Sequence, residues 1–214
     1  MNELTKLADI LTTDKGLTYR EGHGFTEFYY DYFKSLKDRG EKIYILELGI
    51  LYGDSLEMYN EFFEGNCEIY GVDIITSLYN RSICDNIHIY NFDAGDKESV
   101  EKFLDEIGNI KFDFILDDAS HEFNQQFKSY LYFYKNVKPN GRYIIEDLHT
   151  FSWGKKEDSP LNFLTFFEKP SILTDEEYDE IRNSIKYANI FVHNNKNAYC
   201  GNGTSSTAII TLNN

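Results

Sequence analysis

From Ile43 onward, short apolar runs with strand character alternate with segments of helical character, and this rhythm limits the fold more than any other feature. Ile43 to Leu48 is a buried first strand ending at Gly49, with Asp54-Ser55 placed to cap the helix that runs to about Phe63. Cys67 to Asp73 gives a second strand, Asn86 to Tyr90 a third, and Asp96 opens the next helix. Phe112 to Leu116 is a fourth strand, followed by a helix from about Glu122 to Asn136, a tight turn at Pro139-Asn140-Gly141, and a fifth strand, Arg142 to Ile145. Strand-helix-strand units of this kind build a mainly parallel sheet with helices on both faces. At 214 residues one substantial core suffices, and no second domain is required.

The two ends depart from the rhythm. Residues 1–40 have helical character, with Phe25, Phe28, Tyr29, Tyr32 and Phe33 in an aromatic stripe. A polar, lid-like loop around Thr12 to Gly16 and Gly22 to Gly24 interrupts them. This segment precedes a main domain spanning 41–214, and its aromatic helix offers a surface for pairing with a second copy. Beyond residue 150, short helices fall near Leu161–Phe167 and Asp175–Ser184. Ile185–His193 and Ser206–Leu212 complete a seven-stranded sheet, their polar connection permitting an antiparallel last strand.

Composition excludes several classes of partner. A formal net charge of −15 opposes nucleic acid and anionic membrane surfaces, and no apolar run approaches the roughly 20 residues that a bilayer demands. The first residues lack the basic and apolar regions of a signal peptide, and Cys67, Cys84 and Cys200 form no CxxC pair. Both point to the cytoplasm, with the thiols as packing groups.

The chemistry gathers at the ends of the strands. Asp117-Asp118-Ala119-Ser120-His121 follows the fourth strand and Glu146-Asp147 the fifth. Parallel neighbours would bring these acids and the imidazole to one edge, where open α/β sheets bind ligands. Unpaired, the acids would repel one another, and a hard cation such as Mg2+ is the simplest way to hold them together. Each has a plainer role by itself: an Asp pair caps helices, Glu-Asp suits a solvated turn, and His121 suits a first helical turn. Gly49 and Gly53, bracketing the turn after the first strand, allow a ligand close to the backbone and to free N–H groups, although the third glycine of a dinucleotide motif is missing. Asp73 is placed to accept from both hydroxyls of a ribose. Asp93 is placed to face an adenine, or to cap the next helix.

Taken together, E-L-G-x-x-x-G-x-S-L from Glu47, the acid at Asp73, D-D-x-S-H from Asp117 and E-D-L from Glu146 resemble the metal-dependent class I S-adenosylmethionine methyltransferases. The similarity is strongest to the macrolide-sugar O-methyltransferases of the mycinamicin and tylosin type. Thr13-Asp14-Lys15-Gly16 and His23-Gly24-Phe25-Thr26 resemble the segment leading into that domain. Ala119 stands where that group often has glycine. The resemblance covers about residues 12–153 and implies a Rossmann-like, doubly wound seven-stranded fold, mostly parallel. It makes Asp118, Glu146 and Asp147 the ligands of Mg2+ (with Mn2+ as the alternative) and His121 the general base. Glu47, Gly49, Ser55, Asp73, Asp93 and Asp117 would surround S-adenosyl-L-methionine, with Lys15 and His23 closing over it and His149 and Trp153 lining the acceptor pocket. The expected reaction is transfer of a methyl group to a sugar hydroxyl on a nucleotide sugar, a surface polysaccharide or a glycosylated natural product. A catechol or other small diol would suit the same metal site. An NAD-binding oxidoreductase would use the first two strands alone, and a non-catalytic scaffold would have no use for the converging acids.

Overall fold

The computed structural model describes residues 1–18, 22–79, 84–148, 156–194 and 204–213. Helices α1 (Glu3–Ile10) and α2 (Phe25–Asp38) precede an alternating series: β1 (Ile43–Leu48), α3 (Asp54–Phe62), β2 (Cys67–Asp73), β3 (Ile87–Asn91), α4 (Lys97–Glu106), β4 (Phe112–Asp117), α5 (Phe123–Phe133) and β5 (Val137–Ile145). Helices α6 (Pro160–Phe166) and α7 (Asp175–Ser184) follow, then β6 (Ile185–Asn194) and β7 (Thr204–Leu212). The strands form one seven-stranded sheet in the order β3-β2-β1-β4-β5-β7-β6. Every pairing from β3 to β5 is parallel, and β7 runs antiparallel to both of its neighbours. The expected α/β architecture, with its antiparallel last strand, is therefore what the chain forms.

Period-2 alternation along the strands sends side chains to two apolar layers. On one face Ile45, Ile69, Phe114, Leu116 and Ile144 meet α1, α2 and α3 through Leu4, Phe25, Tyr29, Phe33, Tyr59 and Phe62. On the other, Leu46, Leu48, Ile115, Tyr143 and Ile145 meet α4, α5, α6 and α7 through Phe103, Phe127, Tyr130, Phe163 and Ile181. The N-terminal helices thus share a core with the sheet. Among the described residues no helix is long and apolar enough to cross a membrane. Cys67 is a buried free thiol and Cys84 a half-buried one, whereas Cys200 lies outside the described residues.

Two local expectations need correction. Pro139-Asn140-Gly141 is no turn ahead of β5 but lies within it. Val137 pairs with Phe112 and Arg142 with Phe114, so the strand absorbs the extra residues as an irregularity. Asn140 takes a left-handed backbone (φ 64°), which asparagine tolerates, and Gly141 passes so near the Asp113 carbonyl that a Cβ would sit 2.8 Å from it. Nor do Asp54 and Ser55 cap α3. Gly53 holds the cap position at φ 85°, without a side-chain hydrogen bond, and Ser55 turns inward to another partner.

Candidate active site

Register builds the site. Leu48 of β1 pairs with Asp117 of β4, and Asp117 with Ile145 of β5, so the next residues, Gly49, Asp118 and Glu146, leave the sheet at one level. Backbone bonds continue the alignment past the strands: Asp118 N donates to the Leu48 carbonyl (2.8 Å) and Glu146 N to that of Asp117 (2.9 Å). Here the connections reverse direction, β1 leading outward through β2 and β3 on one side and β4 through β5 on the other. That is the crevice where doubly wound sheets take ligands.

A cavity of about 550 Å³ opens at this crevice. Of the residues singled out in the sequence, Lys15, Gly49, Ser55, Asp73, Asp93, Asp118, His121 and Asp147 line it; Glu47, Asp117, Glu146 and His23 do not. His149 and Trp153 lie outside the described residues. Four non-glycine residues of its lining have left-handed backbones: Thr12 (φ 63°), Leu51 (46°), His121 (58°) and Asp147 (53°). Each such residue costs on the order of 1–3 kcal/mol and persists where surrounding structure enforces it, a pattern typical of ligand sites.

One end of the cavity is built around Asp73 and Asp93. Asp73 Oδ2 accepts from the backbone N–H of Ile50 (2.9 Å) and Leu51 (3.1 Å), and Oδ1 from Ile75 (2.9 Å), which fixes the glycine-bracketed turn above β1. Two N–H bonds fill the lone pairs of Oδ2, and Oδ1 keeps acceptor capacity for one further donor. Asp93 takes the Gly95 N–H (2.8 Å) and the Gln125 amide, and the apolar side chains of Ile74, Ile75 and Leu78 border the same space.

The other end is acidic. Donor atoms of Asp118, His121 and Asp147 lie within 4.8 Å of one another, a spacing that a single metal ion can bridge. His121 Nε2 stands 3.9 Å from Asp118 Oδ1 and 3.8 Å from Asp147 Oδ2. Glu146, almost fully buried, faces inward: Oε2 accepts from Lys15 Nζ (2.6 Å) and Oε1 from the Tyr29 hydroxyl (2.7 Å). Lys15 Nζ also donates to Asp118 Oδ2 (2.5 Å) and lies 3.4 Å from Glu47 Oε1. The other Glu47 oxygen accepts from Ser55 (2.6 Å). His23 bonds Ser205 through Nδ1 (2.6 Å) and lies 3.7 Å from Asp147.

Burial and charge pull these groups apart. Burial opposes the Lys15 charge, yet Asp118, Glu146 and Glu47 outweigh it and hold its pKa well above the usual lysine value. Burial lifts Glu47 to about 7 against the pull of Lys15, and lifts Asp117 to about 7 despite a bond from the Ala119 N–H. Glu146 is likewise raised by burial, whereas at Asp118 the attraction of Lys15 and His121 overcomes burial and lowers the pKa. Of the three acids that face Lys15, Asp118 is the one held in its charged form, and it is also the one that lines the cavity.

Sequence reasoning missed Tyr29 as a partner of Glu146, Gln125 beside Asp93, and the Ser205 and Thr207 hydroxyls contributed by β7. Tyr29 figures in the sequence only as one member of an aromatic stripe, and nothing there marks its hydroxyl.

No protein-family profile matches the chain. Among curated proteins, the mycinamicin VI 2''-O-methyltransferase of Micromonospora griseorubida is 33% identical over 140 residues, 61% of this chain and 33% of the relative. The 8-demethyl-8-alpha-L-rhamnosyl tetracenomycin-C 2'-O-methyltransferase of Streptomyces olivaceus is 29% identical over 151 residues, 64% of this chain and 38% of the relative. The chain matches only about a third of the length of these homologues. Among solved structures, the MycE methyltransferase of the mycinamycin biosynthetic pathway, in complex with Mg and SAH, superposes with a TM-score of 0.68. That match has 23% identity and covers 99% of this chain and 55% of the other. The fold is that of the class I methyltransferases.

Proposed function

We propose that this chain, with its class I methyltransferase fold and sugar O-methyltransferase homologues, is an S-adenosylmethionine- and Mg2+-dependent O-methyltransferase acting on a sugar hydroxyl. The observation that carries this reading is the joining, in one cavity, of an end bordered by Asp73 and Asp93 to the Asp118–His121–Asp147 cluster. In our reading Asp73 Oδ1 would accept from a ribose hydroxyl, and Asp93 with the Ile74–Leu78 segment would border the adenine. Asp118 and Asp147 would hold Mg2+, with Glu146 as the third carboxylate behind them. The ion, when bound, lowers the pKa of a coordinated hydroxyl.

The remaining work belongs to the side chains. His121, between Asp118 and Asp147, receives the acceptor proton at Nε2 as the hydroxyl oxygen attacks the sulfonium methyl. The C–O bond forms as the S–C bond breaks, and its electron pair stays on sulfur in S-adenosylhomocysteine. Much of the rate comes from holding the two reactants in line. The loop around Lys15 and His23 closes this end, with His23 steadied by Ser205. We place the protein in the cytoplasm as a homo-oligomer, acting on a glycosylated natural product, a nucleotide sugar or a polysaccharide unit; the aromatic face of α2, buried in the core against the sheet, is not its interface.

Mass spectrometry of sugar glycosides and nucleotide sugars incubated with S-adenosylmethionine and Mg2+ tests this. Methyl gain on a sugar, lost with EDTA and in Asp118→Ala, is the expected result. His121→Ala should slow it by about 10²–10⁴-fold. Transfer to catechols alone, or full turnover in Asp118→Ala, would overturn the reading.

A further inference from the structure

The acidic end already contains a cation of its own. Lys15 is 2% exposed, and its ammonium reaches acids from three different strand ends: Glu47 of β1 (3.4 Å), Asp118 after β4 (2.5 Å) and Glu146 after β5 (2.6 Å). Three N–H donors thus face three carboxylates. The loop that carries it is a built one. The Lys15 carbonyl accepts from both the N–H and the hydroxyl of Thr26 (3.1 Å each), and Gly24 N donates to the Gly16 carbonyl (2.7 Å). His23 N donates to that of Asp14 (2.7 Å), and Asp9 Oδ1 accepts from Leu17 (2.7 Å) and Thr18 (2.9 Å). The lysine is therefore held in place from its backbone outward.

Asp118 is divided between two neighbourhoods. Its Oδ2 belongs to Lys15, while Oδ1 faces His121 and, beyond it, Asp147 in the cavity. Glu146 is turned wholly toward the interior, between Lys15 and Tyr29. The carboxylate set is thus split into an inner half neutralised by an ammonium and an outer half that faces the cavity.

We infer that Lys15 is a positioning residue that serves as the built-in counter-cation of Glu47, Asp118 and Glu146, competing with a divalent ion for the last two. This lets the acidic cluster fold without metal, and it keeps metal binding weak and reversible. The inference rests on the proposal that Asp118 and its neighbours take Mg2+. Two cations sharing a buried carboxylate repel each other through a medium that screens poorly, so loss of Lys15 should strengthen divalent binding by about tenfold or more. A lysine that merely braced the loop would, when removed, loosen the site and weaken it.

Titration calorimetry with MgCl2 and MnCl2, together with thermal unfolding in EDTA, tests this on the wild type, Lys15→Met and Lys15→Arg. The expected result is tighter binding by Lys15→Met, a lower melting temperature in EDTA, and recovery with metal that exceeds the wild-type gain. Lys15→Arg should behave like the wild type. Should Lys15→Met fail to fold without metal, Lys15→Met paired with Glu47→Gln removes one buried ionisable acid along with the cation and should still bind metal more tightly than the wild type. Affinity that is unchanged or weaker in these variants, or no divalent binding by any of them, would overturn the inference. None of these readings needs methyl transfer, so a chain without that activity but with intact metal titrations would refute the proposed function and leave the role of Lys15 standing.

Discussion

Asp73 combines two tasks in one side chain. It closes the strand-to-helix turn by accepting from Ile50, Leu51 and Ile75, and it still presents acceptor capacity to the cavity. Asp73→Ala should therefore weaken S-adenosylhomocysteine binding by about tenfold or more, since bonds to a charged acceptor are each worth about 1.5–3 kcal/mol; calorimetry would show unchanged affinity if the turn alone mattered. Glu47 belongs to the same scale. Burial raises it to about 7 from an ordinary value of 4.5, so the folded protein holds this proton more firmly than the unfolded chain. Its contribution to stability is complete below the ordinary value and is lost as pH rises through 7. Urea midpoints measured in EDTA should fall between about pH 5 and 8, and Glu47→Gln should flatten that fall. An equal slope in both proteins would show that the proton resides elsewhere.

At the scale of elements, the turn from β1 to α3 decides how near the acidic loop can come. Gly49 has φ 84°, and a Cβ there would lie 2.2 Å from the Asp118 carbonyl, so the β4 loop can sit against β1 only because that position lacks a side chain. Gly49→Ala should destabilise the fold by about 1–3 kcal/mol in urea titrations and displace Asp118, with metal affinity falling alongside. Full metal affinity in that variant would mean that the loop is positioned by something other than this contact. The alternation of strands and helices was legible because each strand carries its own apolar signal. The strand through Pro139-Asn140-Gly141 was not, because an irregular strand and a tight turn draw on the same residue types, and only the pairing of Val137 with Phe112 tells them apart.

For the molecule as a whole, α2 connects the core to the site. Phe33 is buried against Phe114 of β4, their ring centroids 4.3 Å apart, and Tyr29 one turn earlier reaches Glu146 and Thr207. Phe33→Ala should cost about 3–5 kcal/mol in chemical denaturation. It should also impair metal binding, because α2 holds both the Tyr29 hydroxyl and, through Thr26, the Lys15 backbone. Stability lost with metal affinity intact would show that the helix and the acids are mechanically independent. The insertion of β7 between β5 and β6 works at this scale too, bringing Thr207 to the Ile145 carbonyl (2.9 Å) and Ser205 to His23.

Local patterning in the sequence determined the elements, the strand tips that bear acids and the edge at which they emerge, because apolar periodicity and strand-end chemistry are properties of short segments. Which carboxylate faces the cavity and which faces the interior was a tertiary decision. Glu146 and Asp147 are adjacent in the chain, yet Glu146 points into the interior and Asp147 takes a left-handed backbone and lines the cavity. That choice depends on a lysine 131 positions away in the chain, and no local signal encodes where a distant ammonium will settle. A buried charge takes its partner from whatever the packed fold brings within reach, and only the assembled molecule shows which one that is.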